Sequence, residues 1–295
     1  MDRSTFVIDE SEAQAMAAKS GITVHQLLRT LVKQAQSLAR PPISNYRVGA
    51  VGIGKSGRIF FGVNLEFPGL PLHHSVHAEQ FLATNLALNS EAYLTHLAVS
   101  AAPCGHCRQF LQEMRCAGEV QVLVTSEESS SFHPLSSFLP NRFGPDDLLD
   151  GDVPLLLEKR QNGLSLVPDV LSNGWVSPSA MELLKEESLK AANMSHAPYS
   201  RCPSGVSLMD IEGKIYRGSY MESAAHNPSL GPVQAALIEY VAEGGGGYEQ
   251  IVAAILVEAE DAIVKQESTA RLLLEAVSPK CELKVFHCVS GTTVN

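Results

Sequence analysis

The sequence has no run approaching the roughly 20 consecutive apolar residues that a membrane-spanning helix needs, although 45% of its 295 residues are hydrophobic. It also has no Lys/Arg-rich cluster. With 22 basic and 32 acidic residues the formal charge is −10, so the average field repels a polyanion and no basic stripe offers a phosphate-tracking groove. Cysteine is sparse: six residues in all, which for a chain of this length do not suggest a disulfide framework. The opening MDRSTFVIDESEAQ carries acids where a signal or transit peptide has basic or apolar residues. These absences weigh against a membrane protein and a dedicated nucleic-acid binder. The expectation is a cytoplasmic protein whose thiols are reduced or bind metal.

What is present reads as α/β. Val24, Leu27, Leu28, Leu31, Val32, Ala35 and Leu38 recur at three- and four-residue intervals, which predicts an amphipathic helix from Thr23 to Ala39, ended by Arg40-Pro41-Pro42. The runs VGAVGI (48–53) and RIFFGVN (58–64) flank GKSG and predict a hairpin. AEQFLATNLAL predicts a helix, HLAVSA a strand, CRQFLQEM another helix and VQVLVT a buried strand. Alternation of this kind implies layered α/β architecture. Between about Gly151 and Pro178 the periodicity lapses into polar and turn-forming residues.

Beyond that stretch the chain repeats itself at an offset of 156 residues. Pro42, Ser44, Gly49, Gly57, Ile59, Gly62 and Glu66 match Pro198, Ser200, Gly205, Gly213, Ile215, Gly218 and Glu222 without a gap, so a tandem duplication is expected. Gly57 and Gly213 fall in the hairpin turn, where only glycine adopts positive φ cheaply. Continued at the same offset, His77 faces Val233, Cys104 faces Glu260 and Cys107 faces Ile263. One repeat keeps a group of metal-ligating residues that the other lacks. The organisation read from the sequence is an N-terminal extension (1–22), a catalytic domain (23–150), a linker (151–177) and a degenerate copy (178–295).

In AAPCGHCRQF the pair Cys104 and Cys107 admits three readings: a redox dithiol, an inert turn or half of a metal site. His77-Ala78-Glu79 stands 24 residues upstream of Pro103-Cys104-x-x-Cys107. One imidazole and two thiolates leave a tetrahedral zinc one open position, the arrangement of a catalytic site. Glu79, two residues past the imidazole, is placed to move protons rather than to ligate. If both segments start helices, Cys104 and Cys107 share a face and the helix dipole favours their thiolates. His106 lies about 200° around from Cys104 and cannot easily reach the same metal. H-x-E followed by P-C-x-x-C is the signature of zinc deaminases acting on nucleobases.

With PPISNYRVGAV, GRIFFGVNLEF, HAEQ, AAPCGHCRQFLQEM, FLPNRFGPDDLL and SHAPYSRCPSGVSL, the chain after about residue 24 resembles the cytidine deaminase family, in particular its two-domain, homodimeric members. The resemblance implies a duplicated three-layer α/β/α sandwich with a mixed sheet and one catalytic Zn²⁺ per chain. It implies hydrolysis of cytidine and deoxycytidine to uridine and deoxyuridine in pyrimidine salvage. Residue by residue, it implies that His77, Cys104 and Cys107 hold zinc and that Glu79 passes protons between the attacking water, N3 and the departing amine. Asn64 and Glu66 would hold the ribose 3′-hydroxyl, and strand geometry suits this because residues i and i+2 face one way. Tyr46 would stack on the base, and Ala78 and Phe143 would border it. Ala225 and His226 would approach from the partner subunit.

The second repeat has Tyr220 and Glu222 where the first has Asn64 and Glu66. Cys281, His287 and Cys288 suit a buried strand, and EGGGGY a flexible turn. Two other readings stand beside the favoured one: a nucleotide or polynucleotide deaminase, which the charge disfavours, and a non-catalytic zinc-stabilised scaffold, which would have no use for Glu79.

Overall fold

In the computed structural model, which describes residues 6–126, 131–168 and 176–290, the chain divides into two compact units. The first runs to Glu158 and also takes in Ser223–Pro228 and Ala242–Gly244; the second comprises Lys159–Glu222, Ser229–Val241 and the chain from Gly245 onward.

The first unit opens with β1 (Val7–Ile8) and α1 (Glu10–Ser20), followed by α2 (Val24–Leu38), β2 (Gly49–Gly54), β3 (Ile59–Val63), α3 (Ala78–Leu88), β4 (Leu94–Val99), α4 (Gly105–Phe110), β5 (Gln121–Val124), β6 (His133–Pro134) and the short α5 (Leu135–Phe138). The second contains β7 (Leu164–Leu166), α6 (Pro178–Met194), β8 (Gly205–Asp210), β9 (Ile215–Ser219), α7 (Pro232–Ala242), β10 (Ile251–Ala259), α8 (Glu267–Val277) and β11 (Glu282–Ser290).

Local chemistry sets these bounds. Thr23 caps α2 with a reciprocal box: its hydroxyl accepts from Gln26 N and Gln26 Oε1 accepts from Thr23 N, satisfying donors the helix leaves open. The apolar stripe Leu27, Leu28, Leu31, Val32 and Ala35 is the face it buries. The residues before Thr23, read from sequence as an extension, belong to the first unit, with Val7–Ile8 pairing antiparallel to β3 as an edge strand. The expected linker is likewise divided: Met114 and Leu156 form a bridge within the first unit, and Leu164–Leu166 pairs with β11 in the second. Residues 169–175 of it lie outside the described residues.

The sheets are ordered β1-β3-β2-β4-β5-β6 and β7-β11-β10-β8-β9. Each contains a hairpin (β2–β3, β8–β9), a third strand antiparallel to it (β4, β10) and a fourth parallel to the third (β5, β11). Helices cover both faces of each sheet. A Cβ on Gly49 would meet Gln36 N of α2 at 2.6 Å, and one on Gly62 would meet Leu82 N of α3 at 2.7 Å. Gly62 pairs with Ala50, so it faces away from Gly49, and α2 and α3 lie on opposite faces. In the second unit Gly205 backs onto α6 and Gly218, paired with Val206, backs onto α7. The three-layer mixed-sheet architecture is therefore present twice.

The duplication extends to individual hydrogen bonds but not to one offset. Arg40 N donates to Asn64 O and Glu66 N to Arg40 O; His196 N donates to Tyr220 O and Glu222 N to His196 O, all 156 apart. Asn45 and Arg201 both hold left-handed φ (57° and 58°), as do Gly57 and Gly213 (82° and 81°). Past that point the register changes. Leu65 pairs with Val76, and Met221 with Leu230, while α3 and α7 begin at Ala78 and Pro232, a spacing of 154. The counterpart of His77 is therefore Gly231, and Val233 stands opposite Glu79, because the second repeat has lost two residues in the loop before its helix. At the third strand Ala50 pairs with Val99 and Val206 with Leu256, an offset of 157 that sets Asp261 against Cys104 and Val264 against Cys107. No histidine or cysteine is restored in the corrected register.

Because Gly62 and Gly218 sit against helix backbone, Gly62→Ala and Gly218→Ala should each reduce unfolding free energy by about 1–3 kcal/mol. Gly151→Ala, which meets nothing within 4 Å, should change it by less than about 0.5 kcal/mol. Urea titration checks all three.

Candidate metal centre

Two helix starts meet at the site. His77 is the residue immediately before α3 and Cys104 the one immediately before α4, both with extended backbone (φ −86° and −70°), and Cys107 lies one turn into α4. Cys104 Sγ and Cys107 Sγ lie 3.4 and 3.3 Å from His77 Nδ1, and the three donor atoms fall within 4.8 Å of one another. Zinc–sulfur bonds of about 2.3 Å and a zinc–nitrogen bond of about 2.0 Å, at tetrahedral angles, separate S and N donors by about 3.5 Å. The donor set therefore fits one zinc with little movement, and it is the only such group among the described residues.

Glu79, only 4% exposed, places Oε2 3.3 Å from Cys107 Sγ. Burial pushes its carboxyl above the ordinary range, against the opposing pull of hydrogen bonds and of His77. Its position suits a group that both takes and gives a proton. Hydrogen bonds from Cys107 and His77 hold Cys104 down to about 3. His77 is raised by its bond to Cys104, and Cys107 is pushed well up by its bond to Cys104 and by burial. The shifts run in opposite directions within the cluster, down at Cys104 and up at His77 and Cys107. His106 contributes no donor; its ring stacks on the His77 ring at 5.3 Å and 30°.

The expected substrate residues fall on several segments of the first unit. Ala78 is fully buried at the start of α3; Tyr46 and Phe143 are 61% and 46% exposed. The Phe143 carbonyl is tied to Gln109 Nε2 of α4 at 2.5 Å. Asn64 Oδ1 accepts from Val48 N and its Nδ2 donates to Tyr46 O, both at 2.9 Å. Glu66 Oε2 accepts from Ile43 N and Ser44 N at 2.9 Å and Oε1 from Ser44 Oγ at 2.5 Å. Burial raises the Glu66 carboxyl, and the bonds from Ser44 and Ile43 outweigh it, leaving a net depression. In the second unit Glu222 Oε2 accepts from Tyr199 N and Ser200 N in the same way. The bond between this carboxylate and the loop is thus part of the repeated architecture, present also where the metal ligands are missing.

Ala225 and His226 fall in Ser223–Pro228, which belongs to the first unit of the same chain. His226 is exposed with φ 60°. Sequence reasoning missed two residues that hold this segment. Gln80 Nε2 donates to Pro228 O at 3.0 Å, and Glu113 Oε1 accepts from Ala224 N at 2.7 Å. Gln80 had a signal, since Gln234 stands at the same place in the second repeat once the offset is 154, whereas at 156 it faces Ala236.

Two family models described as the cytidine and deoxycytidylate deaminase zinc-binding region match residues 22–124 and 135–271. Among curated relatives, Arabidopsis thaliana cytidine deaminase 1 is 62% identical over 98% of this chain and 99% of its own. Arabidopsis thaliana cytidine deaminase 6 is 50% identical over 96% and 97%. Among solved structures, cytidine deaminase from Mycobacterium tuberculosis matches 40% of this chain and 96% of its own at 28% identity, with a TM-score of 0.36.

Metal uptake must displace the protons on His77 and Cys107. At pH 6 zinc binding should release about two protons, and affinity should fall as pH falls. Calorimetry in buffers of different ionisation enthalpy reads the number; His77→Ala should reduce both proton release and affinity.

Proposed function

The chain belongs to the cytidine and deoxycytidylate deaminase family, and we propose that it hydrolyses cytidine and deoxycytidine to uridine and deoxyuridine with release of ammonia, as a zinc-dependent enzyme of pyrimidine salvage. The observation that carries the reading is the three-donor cluster with a buried carboxylate against it. No helix among the described residues is long and apolar enough to cross a membrane, which accords with a cytoplasmic enzyme working on a free nucleoside. The net charge of −10 favours such a substrate over a polynucleotide. By analogy with the two-domain members, the working form is a homodimer.

His77, Cys104 and Cys107 would hold the metal through one imidazole nitrogen and two thiolates. When bound, zinc would supply Lewis acidity that lowers the pKa of the attacking water towards neutrality. Glu79 accepts a proton from the attacking water on a carboxylate oxygen and delivers it to pyrimidine N3 as the oxygen bonds to C4; it then takes the remaining hydroxyl proton and passes it to the amine as the C4–N bond breaks and the C4 carbonyl forms. A carboxyl raised by burial suits both directions of transfer.

Around it, Ala78 forms an apolar wall, and Tyr46 and Phe143 offer rings to the base. Asn64 and Glu66 act on the sugar through the valences their loop bonds leave free: the second hydrogen of Nδ2 and the remaining lone pairs of Oε1. Because the same two side chains fix the loop bearing Tyr46, base and sugar contacts are built together. Ala225 and His226 border the pyrimidine.

Loss of cytosine absorbance on incubation with cytidine tests the reading, with metal content measured alongside. Wild type should carry one zinc per chain and turn over cytidine. Glu79→Gln should keep the zinc and lose turnover by at least about 10³-fold. A zinc-loaded wild type without turnover on cytidine or deoxycytidine would overturn the proposal.

A further inference from the structure

The second repeat contributes a segment to the catalytic unit. Ser223–Pro228 replaces, in the second copy, the segment Phe67–His74 that leads towards α3 in the first, and it is shorter by two residues. Its turn is closed internally, with His226 N donating to Ser223 O at 2.8 Å and Asn227 N to Ala225 O at 2.7 Å. At one end Ala224 N donates to Glu113 Oε1; at the other Pro228 O accepts from Gln80 Nε2. Glu113 is fully buried and Gln80 is 1% exposed, so both bonds form where water does not compete.

The two anchors belong to the elements that carry the metal donors. Gln80 is the third residue of α3, and its Oε1 also accepts from His77 N at 3.3 Å. Its amide therefore links the backbone of one donor residue to the strap. Glu113 lies on a single 3₁₀ turn that continues α4 directly, six residues past Cys107, and its own carbonyl accepts from Leu156 N at 2.8 Å. The strap is thereby bonded at one end to the helix that begins at His77 and at the other to the helix that begins at Cys104.

We propose that the Ser223–Pro228 strap fixes the separation of the two donor-bearing helices, and that Gln80 and Glu113 are positioning residues for the metal centre acting through it. In this account the degenerate repeat is retained in part because its shortened loop splints the active copy within the same chain. The inference rests on the zinc reading above. Side chains that orient metal ligands commonly change affinity or activity by 10–100-fold when removed.

The test is the rate at which zinc passes from the full-length holoprotein to a chromogenic chelator. Gln80→Glu keeps an acceptor for His77 N–H but has no donor for Pro228 O; it should release zinc about tenfold faster under conditions where the variant remains folded. Glu113→Ala should do the same, and Glu113→Gln, which still offers an amide oxygen to Ala224 N–H, should restore the wild-type rate. Should a variant not fold, wild type alone decides: stripping zinc should lower hydrogen-exchange protection at Ala224 while leaving β10 amides unchanged. Release at the wild-type rate from folded Gln80→Glu and Glu113→Ala, or Ala224 protection indifferent to zinc, would overturn the strap. A wild type that takes up no zinc would instead overturn the metal reading, and this inference with it.

Discussion

Three donor atoms converge because two helices begin at one place. An imidazole from the residue before α3 and a thiolate from the residue before α4 can meet only if the helix starts are held together, and Cys107 follows because it shares the face of Cys104 one turn on. The sheet fixes one of these starts. Gly62 lets the backbone of β3 lie directly against Ala78 and Leu82, so the beginning of α3 is referenced to the strand that continues into Asn64 and Glu66. The metal-ligand cluster and the strand leading to Asn64 and Glu66 are thus related through one close contact between a strand and a helix.

The same contact exists in the second unit between Gly218 and α7, and the carboxylate that secures the preceding loop is there too. What that copy lacks is the chemistry. Gly231 and Val233 stand where the first has His77 and Glu79, and neither register sets a cysteine opposite Cys104 or Cys107. Retention of the scaffold beside loss of the ligands separates the residues that build the fold from those that act. It also assigns Glu66 a structural duty that the substrate-centred reading of NLEF does not contain.

Much of this was legible in the sequence. Hairpin, helices and strands follow from apolar period and turn chemistry, and Gly57 and Gly213 occupy the positive-φ positions their place in the turn requires. The cluster of His77, Cys104 and Cys107 was legible because ligand type and spacing limit what tetrahedral coordination can use. The constant offset was not sustained, since seven identities fix the register only as far as Glu66, and the deletion lies in the loop just after it. The N-terminal edge strand escaped notice because two residues carry no period. Glu113 was silent for a different reason: it is a polar residue buried by a partner far away in sequence, and no local pattern announces such a pair, whereas the signal at Gln80 was hidden by the wrong offset.

X-ray absorption at the zinc edge of the purified protein tests the central claim most directly, because it reads the ligand set rather than its consequences. The account predicts a first shell of two sulfurs at about 2.3 Å and two lighter atoms at about 2.0–2.1 Å, one from His77 and one from solvent, with one sulfur lost in Cys107→Ser. A closed four-sulfur shell, or a spectrum that Cys107→Ser leaves unchanged, would contradict it.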